Sequence, residues 1–204
     1  RYFLQHELVP FFNMQEDTGV VVSGSTVLQF FTGCQWESDL DLYVLLSGCR
    51  SAGMFILSCN YRFFPGSDQD SDFTVAMDDV FISSVAIGAP SDYDARGIVT
   101  VFNFKRGNKT IQLVACRSSI VEVILGFHST CVMNFATRDY AISLFPFASL
   151  VSQVSLVNTA AEIDASKALT KYTGRGWSML TVPGCTEFLT IGSELGQNVR
   201  FPGD

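Results

Sequence analysis

VVVSGSTVLQFF (residues 20–31), a short break, and SDLDLYV (residues 38–44) form the stretch on which the reading of this chain turns. Three valines end in Ser23-Gly24-Ser25, and an apolar, helix-compatible segment follows. Asp39 and Asp41 then stand two apart, followed by Leu42, Tyr43 and Val44. Residues i and i+2 of a β-strand point to the same face, so the two carboxylates are predicted side by side. Like charges held that close repel unless a cation lies between them, and a divalent metal is the usual partner. A small Gly-Ser turn lets backbone N–H groups approach an anion closely. The helix that follows would aim its positive end at the same place. A phosphate cradle beside a metal pair is what phosphoryl or nucleotidyl transfer requires. The plainer reading of the same residues is a buried strand, a tight turn and an acidic strand edge.

Working outward, residues 3–12 (FLQHELVPFF) read as a short apolar helix, 19–23 as a strand, 25–32 as a helix and 39–46 as the acidic strand. Ser47-Gly48 is expected to break that strand, with a further helix over 50–61 despite Gly53. Asp68, Asp70, Asp72, Asp78 and Asp79 crowd residues 65–79, and Asp92 and Asp94 follow. Such a run reads as a solvated loop, with extra metal ligands as the sharper alternative. GIVTVFNF and KTIQLVAC flank Lys105-Arg106-Gly107-Asn108, which predicts a β-hairpin over 97–116. The glycosylation triplet Asn108-Lys109-Thr110 falls in its turn.

Ser118-Ser119 can cap a helix whose apolar positions run Ile120, Val123, Ile124 and Phe127 and continue to Met133. His128, Ser129 and Thr130 make a polar island in it: a buried hydrogen-bonded group, or part of a pocket lining. Residues 159–172 read as a helix, with Thr159 and Glu162 as a capping box, ended by Gly174-Arg175-Gly176-Trp177. The tail from 178 reads as short strands and turns. A core over residues 1–150 with a helical segment and tail over 151–204 packed on it is the expected organisation.

The chain has 204 residues, 48% of them hydrophobic, including 18 Phe, which argues for a packed globular protein. Charged residues make up only 16%, so the core is large or part of the surface is covered. A net charge of −7 disfavours a groove for long nucleic acid, which needs clustered Lys and Arg. A small nucleotide arriving with metal ions is compatible with it. The six cysteines, Cys34, Cys49, Cys59, Cys116, Cys131 and Cys185, form no Cys-x-x-Cys pair, and only His6 and His128 could join them, so a structural zinc site is not expected. Buried free thiols and an intracellular, cytoplasmic protein are the expectation. No signal-peptide pattern and no apolar run of membrane-span length is present, although a chain beginning at Arg1 can be a piece of a longer one. No P-loop, Gly-x-Ser-x-Gly elbow or dinucleotide-binding glycine fingerprint is present.

Gly24-Ser25 followed by Asp39-Leu40-Asp41, in strand–helix–strand order, resembles the signature of the DNA polymerase beta-like nucleotidyltransferase superfamily. With TIQLV and HSTCVMNF added, the chain resembles divergent fungal proteins with such a core. The resemblance implies an α/β (α+β) fold, a nucleotidyltransferase-like mixed sheet with packed helices. It also implies that Asp39 and Asp41 hold Mg²⁺ or Mn²⁺ and that Gly24 and Ser25 hold the phosphates of an NTP.

A third carboxylate on a later strand is implied as well. Ile111-Gln112-Leu113 is the candidate triplet, with Gln112 where the acid would stand. Glutamine can ligate a metal through its carbonyl oxygen but cannot accept a proton as a carboxylate does. Three explanations stay open: an aspartate from the 68–94 region completes the site, the protein catalyses poorly, or it binds without catalysis. Lys167 and Lys171, four apart on a helix, are where the superfamily places a lysine that reaches the triphosphate, with Arg175 just beyond; a solvated helix face is the alternative. Trp36 can stack on a base or cap the core. The expected function is transfer of a nucleoside monophosphate from an NTP to a hydroxyl on a small molecule, protein or RNA end. A catalytically silent nucleotide-binding or interaction module is the rival.

Overall fold

The computed structural model describes residues 1–86, 97–158 and 165–181. The leading helix lies later than its pattern suggested. A 3-10 turn (Gln5–Glu7), held by Leu4 N–H donating to the Glu7 carboxylate at 2.6 Å, leads into α1 (Leu8–Thr18). Gly19, at φ +70°, stops it in the left-handed conformation that glycine adopts freely. The strand expected from residue 19 is the shorter β1 (Val21–Ser23), and α2 (Gly24–Thr32) and β2 (Leu40–Leu45) follow.

β4 (Ile98–Arg106) and β5 (Lys109–Cys116) form the hairpin, with a turn of two residues rather than four. Gly107 at φ +61° permits the tight turn, so Arg106 and Lys109 pair directly. With β3 (Arg62–Phe64), β6 (Asn134–Ala136) and β7 (Ala141–Ser143) they complete a seven-stranded mixed sheet in the order β3-β4-β5-β2-β1-β6-β7. Every neighbour pair is antiparallel except β2 with β5.

β2 is covered on both faces, which explains its nearly continuous apolar run. Leu40, Leu42 and Val44 join Ile111, Leu113, Phe102 and Phe104 in a core under α1 and α3. Tyr43 lies on the other face with Val114, Cys116, Val123 and Ile124.

The strand stops before Ser47-Gly48, at Leu45, and the helix expected from residue 50 starts earlier, as α3 (Leu46–Ser58). Gly48 is a packing glycine within it: a Cβ there would stand 2.7 Å from the Thr18 carbonyl oxygen. Gly53 has the same role, since its Cβ would meet the Phe73 ring at 2.1 Å. Gly53→Ala should therefore cost about 1–3 kcal/mol through overpacking, read as a lower urea midpoint at constant slope. An unchanged midpoint would show that the Phe73 ring moves aside freely.

The acidic run is only half a loop. Asp72 accepts hydrogen bonds from Thr74 N–H at 2.7 Å and from Val75 N–H, and caps α4 (Phe73–Ala86). Asp78 and Asp79 ride on that helix, with Asp78 paired to Arg50. The helix expected to run to Met133 ends early, as α5 (Ile120–Leu125), at Gly126. A 3-10 turn (Thr130–Val132) follows, so His128-Ser129-Thr130 lies between elements.

Beyond a π-helical turn (Phe147–Val151), β8 (Val154–Leu156) pairs in parallel with β9 (Ser178–Leu180), and α6 (Ser166–Thr173) precedes β9. The expected capping box at Thr159 and Glu162, Asp92 and Asp94, Cys185 and the tail from 182 lie outside the described residues. The five described cysteines are free thiols, and all but Cys34 are buried. Burial pushes Cys49 up to about 12 and Cys116 to about 11. Among the described residues no helix is long and apolar enough to cross a membrane.

Candidate functional site

The strand registers bring the predicted residues together. Ser23 pairs with Asp41, Asp41 with Gln112, and Gln112 with Asn103. Directly paired residues share a face, so four polar side chains form a row across β1, β2, β5 and β4. Apolar rows flank it, Tyr43 and Val114 among them. Sequence reasoning missed Asn103. The two-residue turn at Gly107-Asn108 was the signal that could have found it, because turn length sets hairpin register.

Asp39 sits one residue before β2, exposed, at the mouth of this row. Its loop, residues 33–39, is stapled to α2. Gln29 accepts from Trp36 N–H at 2.8 Å through Oε1 and donates to Ser38 Oγ at 2.9 Å through Nε2. Thr26 Oγ1 donates to the Asp39 carbonyl at 3.1 Å. The Tyr2 hydroxyl donates to the Ser38 carbonyl. Arg106 fixes the Tyr2 segment in turn, bonding the Tyr2 carbonyl oxygen and the Glu7 carboxylate, the latter at 2.8 Å, with its guanidinium over the Tyr61 ring.

Gly24 and Ser25 open α2 next to Asp41. Gly24, at φ +68°, has no room for a side chain: a Cβ would lie 2.2 Å from Asp41 Oδ2. Ser25 is buried. Burial, and then the nearby Asp39 charge, pushes the Asp41 carboxyl up to about 7, against a smaller opposing effect of Lys171. Lys171 is held below its ordinary range by burial and then by Arg175, while Asp41 and Asp39 pull it the other way.

Asp39 and Lys171 line one cleft of about 490 Å³, together with Tyr2, Ser38, Asn108 and Lys109. Lys167 lies one turn earlier on α6, exposed, and does not line it. An adjoining basin of about 780 Å³ shares Tyr2 and Glu37 and reaches Trp36 and Phe30. Trp36 packs edge-on against Trp177 at 5.9 Å with Arg175 over its ring at 4.4 Å, the core-capping position.

Asp68 and Asp79 line a separate cavity of about 250 Å³ with Thr100 and Arg117. Among the described residues no three His, Cys, Asp or Glu side chains converge. The donors at the row are thus two carboxylates and the amide oxygen of Gln112, hard oxygen ligands of the kind Mg²⁺ and Mn²⁺ take.

His128 belongs to a buried polar set. Its Nδ1 lies 2.7 Å from Ser129 Oγ, and burial, then Lys171, holds its pKa down. Ser155 Oγ accepts from Cys131 N–H at 3.0 Å, and Thr130 Oγ1 accepts from Leu156 N–H at 3.0 Å.

No protein-family model matches the chain, and no curated protein does. Solved structures do. One, described as "tRNA-processing enzyme (apo form I)", superposes with a TM-score of 0.52 at 13% identity over 83% of this chain and 41% of that one. Another, "Structure of tRNA-processing enzyme with CTP", gives 0.51 at 13% identity over 83% and 42%. At that identity the likeness is one of fold, and this chain spans well under half the length of those enzymes. The mixed sheet with helices packed on it matches a nucleotidyltransferase-like fold.

Proposed function

We propose that this chain binds a nucleoside triphosphate with Mg²⁺ or Mn²⁺ and transfers its nucleoside monophosphate to a hydroxyl acceptor. The observation that carries the reading is the pairing of Asp41 with Gln112 in the middle of the polar row, with Asp39 at its mouth. The CTP held by one of the similar structures supports an NTP as the partner. Asp39 and Asp41 are the ligands for the cation, with the Gln112 carbonyl oxygen beside them. A bound Mg²⁺ or Mn²⁺ would neutralise charge on the phosphates. Gly24 and Ser25 receive the phosphates at the start of α2, and Lys171 adds positive charge across the cleft, with Lys167 behind it.

The acceptor hydroxyl attacks the α-phosphorus in line, forming one P–O bond as the bond to pyrophosphate breaks. Gln112 cannot take the hydroxyl proton, so the acceptor for it would be one of the two carboxylates, Asp39 or Asp41. A small molecule, a protein and an RNA end all remain within this reading as acceptor, as do kinship with divergent fungal proteins and a cytoplasmic setting. The free thiols support the last of these.

Gln112 in register with Asp41 favours a second reading, a module that binds nucleotide without transferring it. Calorimetric titration with Mg-ATP and Mn-ATP, beside a radiolabel transfer assay, tests both. Binding with transfer supports the enzyme, binding alone the silent module, and no binding refutes both. Gln112→Glu supplies a third carboxylate at nearly constant volume. It should enlarge the rise in melting temperature that Mn²⁺ produces, and lower the melting temperature without metal, because three carboxylates then share one face. Equal Mn²⁺ shifts in both proteins would place Gln112 outside the metal's reach.

A further inference from the structure

Asp39 is exposed and lies outside the β2–β5 ladder, which begins at Leu40. A carboxylate on a free loop would have to be ordered each time a cation binds, at a cost in affinity. Here its neighbour Ser38 is tied from two sides. Gln29 of α2 donates to Ser38 Oγ at 2.9 Å, which fixes the loop to the helix that Gly24 and Ser25 open. The second tie is the Tyr2 hydroxyl, which donates to the Ser38 carbonyl and lies 3.3 Å from Ser38 Oγ. Tyr2 is itself held by its main chain. Its carbonyl oxygen accepts from the Tyr61 hydroxyl at 2.7 Å and from the Arg106 guanidinium. Arg106, paired with the buried Glu7 carboxylate at 2.8 Å, is the last residue of β4 and faces Lys109 across the hairpin turn. Tyr2, Ser38, Asp39, Asn108 and Lys109 line the same cleft of about 490 Å³. Tyr2 therefore joins two walls of that cleft, with its main chain on the hairpin that carries Gln112 and its phenol on the loop that carries Asp39.

We propose that Tyr2 is a strut that presets Asp39 for a divalent cation, by tying the Asp39 loop through Ser38 to the β4–β5 hairpin. Gln29 sets Asp39 relative to the start of α2, and Tyr2 sets it relative to Gln112. Tyr2 acts through Ser38, so it is a positioning residue and not a ligand. The proposal rests on the reading of Asp39 and Asp41 as the cation's ligands.

The test is Tyr2→Phe, which keeps the ring in the core and removes only the hydroxyl. Mn²⁺ should bind about ten-fold more weakly, the loss that follows when a ligand is deprived of an outer-shell hydrogen bond. Gly53→Ala, which crowds Phe73 outside the cleft, should keep the wild-type Mn²⁺ affinity although it lowers stability. In metal-free protein, amide exchange over residues 33–39 should be faster in Tyr2→Phe, with β4 and β5 unchanged. Unaltered Mn²⁺ affinity in Tyr2→Phe, or an equal loss in Gly53→Ala, overturns the strut. If the wild type binds no Mn²⁺, the cation reading fails, and the strut is decided by exchange alone: equal rates over residues 33–39 overturn it.

Discussion

Asp39→Asn with Asp41→Asn should abolish metal-dependent nucleotide binding and, without metal, raise stability above pH 7. Both effects have one cause. The Asp41 carboxyl, ordinarily near 3.8, titrates at about 7 because burial and Asp39 disfavour its charge. Below pH 4 folded and unfolded chains both hold the proton, and the group is neutral in the balance. Between pH 4 and 7 the unfolded chain loses the proton first, so wild-type stability falls as pH rises, and above 7 the whole deficit remains. A difference of about three pKa units corresponds to about 4 kcal/mol, the upper bound of what Asp41→Asn can return. The gap between variant and wild type should open from pH 4 and level off above pH 7. A divalent cation competes with that proton, so Mn²⁺ affinity in the wild type should climb through pH 7. Denaturant melts from pH 4 to 8.5, with Mn²⁺ titrations at each end, read all of this. Unaltered nucleotide affinity in the double variant, or a gap independent of pH, would remove both carboxylates from the site.

Gly24→Ala should cost the chain both stability and cation binding. Two costs add. The backbone at φ +68° is left-handed, which disfavours any L side chain by about 1–2 kcal/mol. The new Cβ would also fall 2.2 Å from Asp41 Oδ2. The carboxylate can swing aside, but only by leaving the position it needs to ligate a cation. We expect a loss of about 2–4 kcal/mol together with loss of Mn²⁺ binding. Stability lost with Mn²⁺ affinity intact would mean that Asp41 ligates from another rotamer. Full stability would mean that the α2 start relaxes at no cost.

What the sequence made legible was local. The valine run, Gly24-Ser25, Asp39-x-Asp41 and the 97–116 hairpin carry their own period and turn chemistry, and the strands formed there. What misled was context. Gly48 reads as the end of a strand and Gly53 as a flaw tolerated in a helix, yet each is needed inside α3 because a neighbour, the Thr18 carbonyl or the Phe73 ring, fills the space of its Cβ. Asp72 looked like part of a solvated run, although it is a helix cap followed by Phe73, Ala76, Met77 and Val80 at helical spacing. That pattern was readable and was masked by the surrounding charge. The His128-Ser129-Thr130 group reads as a buried hydrogen-bonded set, as Ser129 Oγ against His128 Nδ1 makes it, but the partners of Thr130, Ser149 and Ser155, were not readable, since they arrive from a later part of the chain. At the candidate site, Gln112 was placed from its triplet alone. Asn103 required a register that a turn read two residues too long would have shifted.

The single parallel contact in the sheet has a kinetic consequence. β1 with β2 and β4 with β5 are neighbours in sequence and can zip early. The β2–β5 contact, which sets Asp41 beside Gln112, closes a loop of about 70 residues and pays its entropy before any reward. We expect substitutions at Asp41 and Gln112 to change the unfolding rate and leave the refolding rate nearly untouched. Slowed refolding in Gln112→Ala would show instead that the two halves meet in the nucleus. On the expected order, the polar row comes into being only with the last closure, so no partly folded form of the chain presents Asp41 beside Gln112.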